Sequence, residues 1–235
     1  MTLLWARAWG VIRRPRATFT AVVAAPTWIS ALAATTIVTF ACSAGFLLTP
    51  VGQQALVDQW ERTTSAFGQT VDDAAYDRME ARVSSNGFGI MCAVATAVAT
   101  GPAAAVALTT LLRLILNRTA GTRASFVQVL AVVSHAGFVL ALRQIVATPI
   151  DYVRESIASP TTLVQFFSML DETSWAARVL GAIDLLVVWW LFVLAIGLST
   201  LYARPVGRLT LAFTGAYLTV ALLAALTMAL AGGAA

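Results

Sequence analysis

The sequence contains no lysine; all 15 of its basic side chains are arginine. It has one histidine, two cysteines and only 11% charged residues in a chain of 235. A soluble domain carries about 25% charge, so an ordinary soluble domain and a disordered chain are both excluded. The missing lysine points to biased codon usage in a GC-rich, bacterial genome. Cys42 and Cys92 lie inside apolar runs without CxxC spacing, which speaks against a metal site or a disulfide framework. They read as small buried apolar side chains. HExxH, GxSxG, paired intramembrane aspartates and a glycine-rich phosphate loop are all missing. The residues therefore give no basis for hydrolytic or nucleotide chemistry, and neither an enzyme nor a cofactor is expected. No clustered basic face offers itself to nucleic acid. The N-terminal Met-Thr-Leu-Leu-Trp-Ala-Arg places its charge after the first apolar patch, so no cleavable signal peptide is expected.

What the sequence does have is hydrophobicity: 59% of residues are apolar and the mean hydropathy is +0.82. A bilayer core takes about 20 mainly apolar residues per helix. Five segments qualify, near 28–48, 88–112, 126–146, 181–201 and 209–230. They must be helices, because every backbone donor in lipid has to be satisfied without water and the runs are too long for barrel strands. The expected fold is an all-α polytopic membrane helix bundle of five transmembrane helices, one membrane domain over 1–235. No polar stripe runs the length of any span, which weakens a channel. No internal repeat is visible, which weakens an inverted-repeat carrier.

The charges between the spans sort by side. Arg7, Arg13, Arg14, Arg16, Arg113, Arg118, Arg123, Arg204 and Arg208 stand in segments without acids. The outer loops, near 49–87 and 147–180, hold Arg62, Arg78, Arg82, Arg154 and Arg178. They also hold the acids from Asp58 to Glu80, together with Asp151, Glu155, Asp171 and Glu172. The positive-inside rule then puts the N-terminus in the cytoplasm, the C-terminus outside and the chain in the cell (inner) membrane.

Two non-spanning stretches are amphipathic. In residues 3–23, Leu3, Leu4, Trp5, Trp9, Val11 and Ile12 alternate with Arg7, Arg13 and Arg14. Within the cytoplasmic segment 1–27 this reads as an interfacial helix on the inner leaflet. In the first outer loop Phe67, Val71, Ala75, Met79 and Val83 recur every fourth residue, which predicts an amphipathic helix capping the bundle. Leu163, Val164, Phe166, Phe167, Met169 and Leu170 form an apolar cluster too short to span, expected as a short interfacial helix.

Ionisable residues inside a membrane are functional candidates by default. Arg143 and Asp184 stand at comparable depth in the third and fourth spans. An interhelical ion pair is one reading, with Arg178 a competing partner. A cation or proton site at Asp184 and a snorkelling side chain are the others. If they pair, Asp184→Asn destabilises the fold and Arg143→Gln added to it restores part of the loss. Full additivity in thermal unfolding contradicts the pair. His135 lies near the middle of the third span, about 80° round the helix from Arg143. It reads as a structural histidine bonded to a carbonyl or a threonine, or as a proton relay, which would need further titratable groups in line. Ala93, Ala97, Gly101 and Ala105, and again Ala195, Ser199 and Ala203, place small residues at helical spacing for close helix approach. Gly101-Pro102 is expected to kink the second span.

The fourth span carries a resemblance. Ile183-Asp184-Leu185-Leu186-Val187-Val188-Trp189-Trp190 leads on to Leu194 and Gly197. This resembles the bacterial branch of the Yip family, five-span membrane proteins in which a similar Asp, Trp and Leu-x-x-Gly recur. The positions here are Asp184, Trp189, Leu194 and Gly197. Pro15 and Phe19 look like the family's N-terminal Pro-x-x-x-Phe. The resemblance implies a five-span topology with the N-terminus inside. It also implies a non-enzymatic scaffold or adaptor, binding another membrane protein or a second copy of itself, or shaping the lipid bilayer. Eukaryotic relatives bind Rab-type GTPases through a long cytoplasmic N-terminal region. Here residues 1–27 precede the first span, so Rab binding is not carried over. The alternative reading is a small transport protein for an ion or small solute, using His135, Arg143 and Asp184.

Overall fold

A computed structural model of the chain describes residues 2–119, 121–167 and 174–232. The described residues form helices and no strand. Five helices are long and apolar enough to cross a membrane: Ile29–Leu47, Gly87–Thr119, Phe126–Val153, Leu185–Tyr202 and Val206–Thr227. The chain is therefore a five-span, all-α membrane protein, as its hydropathy predicts. Phe126–Val153 is the most buried span and Val206–Thr227 the least, at 56% against 11% of the span. Few residues of the last span are buried within the chain.

Helices α1 (Thr2–Arg13) and α2 (Pro15–Ala24) precede the first span, α3 (Ile29–Leu47). The interfacial segment is thus two helices rather than one. Proline cannot donate to the preceding turn, and Pro15 instead takes the first-turn position of α2, where that donor is not needed. The first outer loop also folds as two helices, α4 (Pro50–Ala66) and α5 (Asp73–Val83). The four-residue repeat from Phe67 to Val83 therefore does not lie on one helix. Phe67 caps the end of α4 and is 53% exposed. Gly68 then turns the chain at φ 74°, a conformation that costs glycine nothing. Thr49 and Asp72 cap the two helices through Gly52 N and Ala75 N at 3.0 and 2.7 Å.

The second span consists of α6 (Asn86–Val98), a widened π turn at Ala99–Ala103 and α7 (Ala104–Thr119). Pro102 lies inside the π turn, so the expected disturbance takes the form of an extra residue in one turn. α8 (Phe126–Val153) follows. In the second outer loop the apolar cluster forms a 3₁₀ turn at Leu163–Phe166 rather than an α-helix; Met169 and Leu170 lie outside the described residues. A short α9 (Trp175–Gly181) precedes α10 (Leu185–Tyr202). The fourth span therefore starts at Leu185, not near Gly181. α11 (Val206–Gly232) ends the described chain.

Two compact units divide these residues. The first comprises Met1–Thr39, Thr96–Gln144 and Leu186–Gly215. Its core is built from Phe19, Val129, Val132, Leu194, Leu198 and Tyr202, with Trp189 and Trp190 packed at its edge. Tyr202 donates to Asn117 Oδ1 at 2.8 Å, and Asn117 clips Ala124 through both its nitrogen and its oxygen. This ties the loop residue Ala124, just ahead of α8, to the last turns of α7. The second unit comprises Phe40–Ala95, Ile145–Leu185 and Ala216–Ala235. Phe46, Leu47 and Ala55 centre its core. Gly52 lies against the Phe46 carbonyl, where no Cβ fits.

Ala203, just past the end of α10, has φ 52° and is exposed. An L-residue pays about 1–2 kcal/mol in that region. Ala203→Gly is therefore expected to stabilise the protein by about 1 kcal/mol, read as a raised midpoint in thermal unfolding. An unchanged or lowered midpoint contradicts it.

Candidate functional site

Three arrangements of polar or motif residues stand out. The first seats the N-terminal helices on the fourth span. Val11, Phe19 and Val22 are fully buried, whereas Trp5 and Trp9 are 77% and 54% exposed. Arg13 lies over the Trp9 ring at 4.6 Å, a cation–π contact. Arg7 donates to Thr27 Oγ1, tying α1 to the chain just ahead of the first span. Phe19 packs on Gly197: a Cβ there would stand 3.0 Å from the Phe19 ring and 2.5 Å from Val132 Cγ1. Glycine at 197 is therefore a steric requirement of this packing. Leu194, one turn earlier, is buried in the same core, and Trp189 packs at its edge. Pro15 starts the helix that carries Phe19. The structure thus brings Phe19, Trp189, Leu194 and Gly197 to one core.

The second arrangement is a cavity of about 560 Å³ inside the first unit. One wall is a stripe of α8 running from Ser134 through Gly137 and Ala141 to Gln144, residues that recur on one helix face. Thr35 and Thr39 face it from α3, and Thr100 and Gly101 from the π turn. A π turn inside an α-helix often marks a functional position. Arg143 and Trp190 also line the cavity. Ser134 is 2% exposed. Its hydroxyl and the buried indole N–H of Trp190 have no hydrogen-bond partner among the described residues. Thr35 and Thr100 spend their hydroxyl protons on the Leu32 and Thr96 carbonyls.

His135 is not part of that lining. It is fully buried, and its Nδ1 stands 2.8 Å from the Ala131 carbonyl. A carbonyl only accepts, so the proton is on Nδ1. The ring meets Phe138 edge-on, with centroids 5.9 Å apart. The carbonyl is that of its own helix, one turn back, not that of a neighbouring helix.

The third arrangement, in the second unit, is built around Asp184. The residue is 4% exposed but is not inside the fourth span. It stands immediately before α10, in an isolated antiparallel bridge with Thr162. Leu163 N donates to the Ile183 carbonyl at 2.8 Å and Leu185 N to that of Thr161 at 3.0 Å. Ser159 Oγ donates to Asp184 Oδ2 at 2.8 Å. Tyr217 Oη, on α11, accepts from Asp184 N at 2.9 Å and donates to the Ala182 carbonyl at 2.8 Å. A carboxylate at a helix N-terminus is favoured by the helix dipole, so this position stabilises the charge that a span interior would penalise.

Of the small-residue stripes, Ala93, Ala97 and Ala105 are buried within the chain. A Cβ at Gly101 would stand 2.5 Å from Thr36 Oγ1. The second stripe ends early, because Ala203 lies beyond α10 and is exposed.

A family model described as Yip1 domain matches residues 9–229. No curated protein and no solved structure matches the chain.

Proposed function

The chain belongs to the Yip1 domain family, and from that premise we propose that it is a non-enzymatic scaffold or adaptor of the inner cell membrane. Its N-terminus lies in the cytoplasm and its C-terminus outside. It binds another membrane protein, or a second copy of itself, through the α1–α2 pair. The observation that carries this reading is the division of labour within that pair. Val11, Phe19 and Val22 are spent on the core, while Trp5 and Trp9 remain exposed beside Arg13. The small-residue faces of the second span are already buried within the chain, which leaves the N-terminal pair as the better contact surface.

Native copurification from host membranes in mild detergent tests this. The wild type is expected to hold one membrane protein in near-stoichiometric amount, a second copy counting as that protein. Trp5→Ala with Trp9→Ala is expected to lose it without lowering the unfolding midpoint. The same partner on both proteins, or none on either, contradicts the reading.

A further inference from the structure

The first unit contains no acidic residue; all 11 acids of the chain belong to the second. Its arginines therefore have no carboxylate partner within the unit. Several engage neutral groups instead: Arg7 donates to Thr27, Arg113 to the Ala124 carbonyl and Arg204 to that of Thr119, and Arg13 lies over the Trp9 ring. Arg14 and Arg16 are exposed, and neither guanidinium has a partner among the described residues. Both line one groove of about 560 Å³. Phe192 and Ile196, one turn apart on α10, form its facing wall, with Val206 at the start of α11 beside them. Phe192 lies within the fourth span and is 44% exposed, so this wall faces hydrocarbon. Arg14 caps α2 without a side-chain bond, and the first turn of α2 carries no acid. Nothing in that helix offsets the two positive charges. The groove is thus apolar along one wall and doubly cationic along the other. Its complement is an anion joined to a hydrocarbon chain. A guanidinium matches phosphate oxygens two at a time, and basic pockets beside membrane spans suit anionic headgroups. An acidic peptide would match the charge but not a wall that lies within a span.

We propose that this groove holds one anionic phospholipid of the membrane. Its phosphodiester oxygens accept from Arg14 and Arg16, and an acyl chain lies along Ile196 and Phe192. A zwitterionic lipid brings its own ammonium against the two guanidiniums, which disfavours it. Trp5 and Trp9, which carry the scaffold reading, do not line the groove, so either reading can fail alone.

Native mass spectrometry of the full chain tests this. The protein is released from nanodiscs of phosphatidylcholine and phosphatidylglycerol in equal amounts. The wild type is expected to retain one phosphatidylglycerol, favoured over phosphatidylcholine by about tenfold or more. Arg14→Gln with Arg16→Gln is expected to lower that retention by about 25-fold, about fivefold for each arginine beside a membrane. Arg118→Gln with Arg123→Gln removes the same charge from exposed positions outside the groove and is expected to leave retention unchanged. Ala17→Trp fills the groove from an exposed position and keeps both arginines. It is expected to lower retention to the level of the Arg14 and Arg16 variant. Thermal unfolding identifies any variant that fails to fold; if one groove variant fails, the other decides. An equal loss from the two arginine pairs shows that surface charge alone attracts the lipid, and overturns the proposal. So does wild-type retention in either groove variant, or a wild type without preference for phosphatidylglycerol. A wild type that carries a second copy of the chain in place of the lipid overturns it as well.

Discussion

Phe19→Ala is expected to destabilise the protein by about 3–5 kcal/mol, the cost of truncating a fully buried aromatic ring. The ring is completely buried and rests on Gly197, so its loss opens a void on the fourth span and loosens α2. The reciprocal change is overpacking. Gly197→Ala puts a methyl group 2.5 Å from Val132 Cγ1 and 3.0 Å from the Phe19 ring, at a cost of about 1–3 kcal/mol. Val132→Ala added to Gly197→Ala is expected to recover part of that loss, because the two share one contact. Thermal unfolding in mild detergent reads all of these. A Phe19→Ala midpoint close to wild type shows that the N-terminal pair is not seated on α10. Full additivity of Gly197→Ala and Val132→Ala removes the steric explanation for the glycine.

Tyr217→Phe is expected to have the second large effect. One hydroxyl accepts from Asp184 N and donates to the Ala182 carbonyl. Removing it leaves both backbone groups without that partner, at about 1–3 kcal/mol each. Ser159→Ala removes the bond to Asp184 Oδ2 and the contact with the Thr161 hydroxyl, and it is expected to cost about 1.5–3 kcal/mol, chiefly because the acceptor is a carboxylate. Tyr217→Phe should therefore be the more harmful of the two. It should also speed amide exchange at Asp184, which Ser159→Ala should affect less. Wild-type exchange at Asp184 in Tyr217→Phe contradicts the assigned bond.

The architecture was legible because lipid removes alternatives. Once a run is long and apolar it can only be a helix, and all five predicted runs correspond to spans. Their ends were harder to read. The apolar run continues through Ala182 and Ile183, so the sequence alone places Asp184 inside the fourth span. The Thr162 bridge that stops the helix at Leu185 is a contact distant in sequence, invisible to periodicity. Phe67 matched a four-residue repeat, yet Gly68 breaks that repeat with a left-handed turn. The Pro-x-x-x-Phe and Leu-x-x-Gly positions were found as motifs, but nothing in their spacing showed that Phe19 and Gly197 touch. Tyr217 and Asn117 do not stand out in the sequence. Each is a lone polar-tipped side chain at or near a span, and that feature was the available signal. The cavity was also hidden, because Ser134, Trp190 and the threonines that line it come from four different helices.

The measurement that tests the scaffold reading most directly is photo-crosslinking in native membranes. A photoreactive residue replaces Trp9 in the full chain, and a second protein carries it at Leu211, which is exposed on the last span. The prediction is one discrete protein adduct from position 9 and lipid adducts alone from position 211. Lipid adducts alone from both positions would contradict the scaffold reading and leave α1 as a membrane anchor.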